Sequence, residues 1–304
     1  EGKTPPSDTN SIIDDVNLCI DWFTCTFDFI QLNYKTAPLG SWQETEFKNG
    51  SILLNKLYKL LTYPDDTERY FEDENIAGYK FGNITLGEDI KIFFGGTLNS
   101  NKLHHNKLDM TGQACQDFIS RGGNFKKLFD FLLKNGANFT RVDCAIDVMT
   151  EKFFTINKLY QYVLKYDYVS PLRSWSYMHG GNCVTETFNG ETLYIGSKFS
   201  NTLICIYDKK LEQFDKGIEV ISEAWIRVEI RFKQERAIWF ISEFLNSTDN
   251  NNDYTFIFNA LFAVLDFKVR NSNDSNKSRW DTCDWWLDFL SVKDKANFKS
   301  KKKI

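Results

Sequence analysis

Apolar positions recur along this chain with two periods, and the switches between them mark out its elements. Cys19–Ile30 (CIDWFTCTFDFI) is dense in β-branched and aromatic residues and predicts a strand. Ser51–Tyr63 sets Leu53, Leu54, Leu57, Leu60 and Leu61 at helical spacing. Ala77–Leu86 and Asp89–Gly95 predict strands parted by Gly87-Glu88. Lys102–Thr111 predicts a third, leading into Gly112-Gln113 and a helix that ends near Ser120. After Arg121-Gly122-Gly123, Asn124–Lys134 is amphipathic and stops at Asn135-Gly136. Phe139–Val148 alternates, and Thr155–Tyr166 returns to the helical period. Thr192–Gly196 and Thr202–Tyr207 predict a hairpin around Ser197–Asn201, a short polar stretch follows, and Ala224–Phe232 alternates again. Glu235–Leu245 and Tyr254–Phe267 read as helices around the Asn/Asp-rich Asn246–Asp253. The end carries Trp280, Trp285 and Trp286, read as core or interface residues, and the lysine-rich tail Lys299–Lys303.

Helices interspersed among antiparallel neighbours predict an α+β fold with a central, mostly antiparallel sheet covered on one face by helices. Residues 1–18 read as a polar tail or linker. No apolar run approaches the roughly 18–20 residues of a membrane span. The opening Glu1-Gly2-Lys3-Thr4-Pro5-Pro6 has neither an initiator Met nor an apolar leader, so the chain reads as a piece of a longer protein. A formal charge of −4 argues against a coat of basic charge and, alone, against nucleic acid as the partner. The seven cysteines are scattered without a CxxC pair, which suits a reducing cytoplasm. His104 and His105 are adjacent, and on a strand they point to opposite faces, so they do not form a ligand pair.

Three strands carry their charge on one face. In Arg141–Val148, Arg141, Asp143, Ala145 and Asp147 lie opposite Val142, Cys144, Ile146 and Val148. In Ile226–Phe232, Arg227, Glu229 and Arg231 lie opposite Ile226, Val228 and Ile230. In Leu203–Lys209, Tyr207 shares a face with Cys205 while Ile204 and Ile206 turn to the core. An ordinary half-solvated sheet is the plain alternative. Two features argue for more than that. Carboxylates alternate with arginines on two strands, and a tyrosine precedes Asp208-Lys209-Lys210. Carboxylates on neighbouring strands sit about 5 Å apart, close enough to share a divalent ion. Asp143 and Asp147 lie roughly 13 Å apart along one strand, so Asp143 with Glu229 is the better pair, and Asp109 is a candidate third ligand from another strand.

These segments together resemble a known family. Asp21–Phe27 is similar to its opening strand and Met110–Cys115 to its SGQGC turn. Phe139–Asp147 resembles its TRLDLAxD strand, Leu193–Ser197 with Ile206–Lys209 its YxGS…IYxK hairpin, and Trp225–Glu229 its WRxE strand. The family is that of the rolling-circle replication initiators of Gram-positive plasmids (Rep_trans), together with the MobT-type relaxases of integrative and conjugative elements. The glycine-turn segment leans towards the relaxases. Cys205 stands where relatives often carry a basic residue, and Ala114 replaces a glycine.

The resemblance implies an HUH-endonuclease-like core, related to ferredoxin and RRM folds, with carboxylates holding Mg²⁺ or Mn²⁺ in place of paired histidines. It implies Tyr207 as nucleophile and Asp143, Glu229 and Asp109 as metal ligands. Lys209, Arg227 and Arg231 would stabilise charge at the phosphate. The expected activity is site- and strand-specific nicking and rejoining of DNA at an origin of transfer through a 5′-phosphotyrosine link. The expected partners are single-stranded or extruded origin DNA, a host helicase and transfer proteins, in the cytoplasm. Residues 19–240 would form the nicking domain and 241–304 a C-terminal helical extension. The N-terminal helix-turn-helix domain common in such relaxases is not visible in the chain. The rivals are a plasmid replication initiator with the same chemistry, a non-catalytic nucleic-acid-binding sheet protein, and a metal nuclease that uses water.

Overall fold

The computed structural model describes residues 15–28, 52–62, 69–72, 79, 83–86, 90–97, 104–184, 187–220, 222–247 and 256–292. Its elements begin with β1 (Val16–Phe27), α1 (Ile52–Leu60), β2 (Arg69–Glu72), β3 (Asn83–Leu86), β4 (Ile90–Thr97), β5 (His104–Met110), α2 (Gly112–Ser120), α3 (Phe125–Lys134) and β6 (Asn138–Val148). There follow α4 (Ile156–Leu164), β7 (Tyr168–Val169), β8 (Trp175–Asn182), β9 (Thr187–Ile195), β10 (Thr202–Asp208), α5 (Lys209–Asp215), β11 (Ile226–Lys233), α6 (Glu235–Asn246), α7 (Phe256–Val264), β12 (Asp266–Phe267) and α8 (Asp284–Leu290). The chain divides into two compact units: residues 20–142 with 233–246, and residues 143–232 with 1–19 and 247–304.

In the first unit, β2, β3, β4, β5 and β1 form an antiparallel ladder in that order. The helices start where side chains can satisfy their free N–H groups: Thr111 accepts from Ala114 N and Asn124 from Lys127 N. Gly123, between α2 and α3, has no room for a Cβ, which would strike the Phe118 carbonyl and ring. The core is aromatic. Phe23 meets Phe129 edge-on at 5.1 Å, and Phe129 in turn meets Phe139 and Phe244 at 5.2 and 5.6 Å. Such pairs add about 0.5–1.5 kcal/mol each beyond the area they bury.

In the second unit, the strand order is β6, β11, β10, β9, β8, with β10 antiparallel to both β9 and β11. Cys144, Ile146, Val148, Ile204, Ile206, Val228 and Ile230 form its buried apolar face, and α4 packs on β9 and β10. The C-terminal segment belongs to this unit. β12 pairs with β7, and Phe154, Phe267, Trp286 and Phe289 interlock around them. Trp286 and Trp280 are buried, and Lys158 sits over the Trp285 ring at 4.3 Å, so these tryptophans are occupied by protein.

Several expectations change. The tail read as 1–18 ends earlier, because Val16 and Leu18 are buried members of β1. The helix predicted over Tyr254–Phe267 stops at Val264, since Asp266 and Phe267 pair with Val169 and Tyr168 as strand. The segment read as a C-terminal extension, 241–304, is split, with 241–246 in the first unit and the rest in the second. The polar stretch after Tyr207 is helix α5, capped by Asp208, and β8 went unpredicted because Gly180-Gly181-Asn182 mask its alternation. None of the seven cysteines, all among the described residues, is in a disulfide. Among the described residues, no helix is long and apolar enough to cross a membrane. The Lys299–Lys303 tail and the side chains of His104 and His105 lie outside the described residues.

Candidate active site

The site is carried by three neighbouring strands of the second unit. Successive side chains alternate across a sheet. As β6, β11 and β10 bury their apolar residues on one face, they must present Asp143 and Asp147, then Arg227, Glu229 and Arg231, then Cys205 and Tyr207 on the other. Alternation alone allows that face to be wet. Instead Asp143 is 1% exposed, Arg227 2%, Glu229 4% and Asp147 5%. Charges taken this far from water need partners at hydrogen-bond distance, and two clusters supply them.

In the first, the Arg227 guanidinium grips Asp147 with both arms, Nε to Oδ1 at 2.7 Å and Nη2 to Oδ2 at 2.8 Å. This is the bidentate geometry that makes arginine–carboxylate pairs strong. In the second, Arg231 Nε donates to Glu229 Oε1 at 2.6 Å and lies 3.7 Å from Asp143 Oδ2. Asp143 and Glu229 also contact each other. Burial and the Asp143 charge hold the Glu229 carboxyl above its ordinary range, against the pull of Arg231. Burial also opposes the Arg231 charge, but Glu229 more than offsets it. Cys205, in register with Glu229, is pushed up to about 12 by burial and then by Glu229, so it stays a neutral thiol.

Tyr207 is half-buried, in register with Arg227 on β11 and Thr192 on β9. It stands one residue before Asp208, whose carboxylate accepts from Leu211 N at 2.8 Å and starts α5. The tyrosine is therefore held between a strand ladder and a helix cap, a rigid mounting for a reacting group. It lines a cleft of about 350 Å³ with Met178, Thr192, Leu211 and Glu212. Lys209 is buried, with Nζ 5.8 Å from the Tyr207 ring centre and 2.7 Å from Glu212 Oε2. Glu229 faces Cys205, two positions along β10 from Tyr207, which is about 7 Å of strand.

The structure thus brings Tyr207, Lys209, Arg227, Arg231, Asp143 and Glu229 into one unit. Asp109 belongs to the other. There, Trp22 Nε1 and Thr24 Oγ1 both donate to its Oδ1 at 2.9 Å, and Lys107 pairs with its Oδ2 at 2.8 Å. Among the described residues no three His, Cys, Asp or Glu side chains converge as a ready metal cage. Asp143 and Glu229 do present adjoining, buried carboxylate oxygens. That donor set suits a hard divalent cation whose other ligands are water and phosphate oxygens, the usual habit of Mg²⁺. Thr192 and Glu212 escaped the sequence reading. Thr192 lay within the predicted hairpin, but a turn centred on Phe199 would pair it with Ile206, and the observed register is one residue longer. Glu212 depended on a helix that the polar pattern hid.

A tyrosine and a carboxylate pair on one face of an antiparallel sheet are the features that the sequence resemblance implied for rolling-circle initiators and relaxases. The fold agrees. A solved structure, the rolling circle replication initiator protein from Geobacillus stearothermophilus, superposes with a TM-score of 0.70 over 92% of this chain and 97% of that one, at 22% identity. The family model described as replication initiation factor (Rep_trans) matches residues 137–303, more than half of the sequence, and the chain belongs to that family. A protein named "Putative DNA relaxase NicK" from Bacillus subtilis (strain 168) is 28% identical over 207 residues, 66% of this chain. The match covers 56% of that relative, so the chain spans little more than half its length.

Proposed function

We propose that the chain is a tyrosine DNA strand transferase that nicks and rejoins one strand at an origin of transfer. The observation that carries this reading is Tyr207, rigidly mounted beside a cleft, on the same strand face as the buried Asp143–Glu229 pair. Family membership and the relaxase relative support it.

Tyr207 Oη attacks the scissile phosphorus. The phosphorus–O3′ bond breaks, the phenol loses its proton, and the leaving 3′-oxygen takes one up. The products are a 5′-phosphotyrosine and a free 3′-OH, and the reverse attack by a 3′-OH reseals the strand without ATP. A phenol with an ordinary pKa of about 10 is a weak nucleophile at neutral pH. Arg227 stands across the ladder from Tyr207, and its grip on Asp147 fixes the strand face on which the phenol is mounted. Arg231 and Lys209 supply positive charge where the phosphate oxygens arrive. Asp143 and Glu229 would hold Mg²⁺ or Mn²⁺, and the ion would polarise a non-bridging phosphate oxygen. The substrate is single-stranded or extruded origin DNA, since in-line attack by a side chain on a sheet needs an unpaired strand. A host helicase, transfer proteins and a cytoplasmic setting complete the reading.

The test is a 3′-labelled oligonucleotide carrying the origin, incubated with Mg²⁺ or Mn²⁺. A protein-linked band on a denaturing gel is expected, lost with EDTA and with Tyr207→Phe. An adduct that survives Tyr207→Phe removes Tyr207 from its role. Nicked DNA without any protein link means that water is the nucleophile. The fold match to a replication initiator favours a second reading, the same chemistry at a plasmid replication origin. Which origin oligonucleotide is nicked, transfer or replication, separates the two.

A further inference from the structure

Charge along the β9–β10 hairpin is strongly partitioned. At its open end the cleft beside Tyr207 is lined by Glu191, Asp208, Glu212 and Asp215. From Thr192 to Tyr207 there is no Asp or Glu, and the turn carries Lys198 as its one charge. Arg173, exposed on the neighbouring segment, adds a second positive charge where Ser174 O accepts from Gly196 N at 2.7 Å.

The turn is also ordered and apolar at its tip. Gly196 has φ +103, and a Cβ there would meet Thr202 O at 3.0 Å, so the bend requires glycine. Ser200 N and Oγ both donate to Ser197 O, at 3.0 and 2.7 Å, and Phe199 N donates to Ser197 Oγ at 3.2 Å. These bonds hold up a phenyl ring that is 97% exposed, the most exposed large hydrophobic side chain among the described residues. A loop fastened by three hydrogen bonds has no folding reason to aim its aromatic residue at water. Lys198 Nζ lies 5.2 Å from the ring centre of Tyr194, which is in register with Cys205 and so on the face of the carboxylate pair. The tip is thus tied to the candidate active site, roughly 15 Å along the ladder.

We propose that Phe199 is a stacking finger for an unpaired nucleobase of single-stranded DNA, with Lys198 beside the adjoining phosphate. A rigid, preorganised ring offers a π-face to any base without ordering cost, and the local positive charge suits the backbone. The acidic cleft at the other end repels that backbone, so the strand is held at the tip and admitted to Tyr207 only where positive charge receives its phosphate. The inference rests on the proposed DNA substrate and adds to it a residue that grips the strand away from the reacting phosphate.

The test uses the full chain and a single-stranded oligothymidylate carrying one 2-aminopurine. Affinity is read by anisotropy and stacking by quenching of the 2-aminopurine. Phe199→Ala is expected to weaken binding about tenfold and abolish quenching. Phe199→Trp restores both, and the thermal midpoint is unchanged in each. Binding and quenching that survive Phe199→Ala overturn the finger and leave the DNA reading standing. A wild-type chain that binds no single-stranded DNA overturns the DNA reading, and the finger with it.

Discussion

Asp147 with Arg227, and Asp143 and Glu229 with Arg231, set buried carboxylates against arginines on the same two strands. They differ in geometry. Asp147 is held by two arms of the Arg227 guanidinium, Nε and Nη2. Asp143 and Glu229 both face Arg231, whose side chain is 29% exposed, and burial, with the Asp143 charge added to it, holds Glu229 above the usual carboxylate range. A buried pair with matched charge is a clamp and resists change. A buried, adjoining carboxylate pair beside a half-open guanidinium gains from a further cation, which is what the proposed site asks of it. Burial alone therefore does not separate a clamp from a candidate metal site; the geometry of the contacts does.

The largest effect expected is chemical. Tyr207→Phe should lower adduct formation by several orders of magnitude while the urea midpoint barely moves, since it removes one hydroxyl and leaves both clusters intact. Asp147→Ala should cost about 3–5 kcal/mol in urea denaturation, because it strands a buried guanidinium. Glu229→Gln should cost less than about 1 kcal/mol by the same measurement, since Arg231 can reach water and a like-charge contact is relieved. Equal losses in these two variants would erase the contrast between the clusters.

A smaller effect lies in pH. Glu229 binds its proton more tightly in the folded chain than at its ordinary value of 4.5. Its contribution to stability is therefore present below 4.5 and is lost as pH rises through the folded value. The urea midpoint of the wild type should fall across that window relative to Glu229→Gln, which cannot titrate. Parallel curves would refute the raised carboxyl. The smallest effect is expected at Asp109, in the other unit. Asp109→Asn keeps an acceptor for Trp22 and Thr24 but loses the Lys107 ion pair, a change of about 1 kcal/mol or less. The urea midpoint checks it, and a larger loss would show that the Lys107–Asp109 pair carries more than a partly exposed ion pair should.

Much of the frame was legible in the chain. Alternation in Phe139–Val148 and Ile226–Phe232 put their charged residues on the polar face, and the helices predicted after Thr111 and from Asn124 and Thr155 begin there, each start capped by that side chain. The misses share a cause. Helix α5 hides in polar residues because its start depends on one Asp208 cap, and β12 is strand only because β7 lies beside it.

The site divides in the same way. Which side chains share a face follows from the two-residue period of a strand, a local property of the backbone, and so the sequence determined it. Which carboxylate meets which arginine depends on the register of strands 80 residues apart. So do the depth of those charges, the occupation of Asp109 by its own neighbours and the exposure of Phe199 while Phe23, Phe129, Phe267 and Trp286 were drawn into cores. Those were decided by packing between distant segments, where the cost of burying a charge or a ring depends on what the rest of the chain places against it.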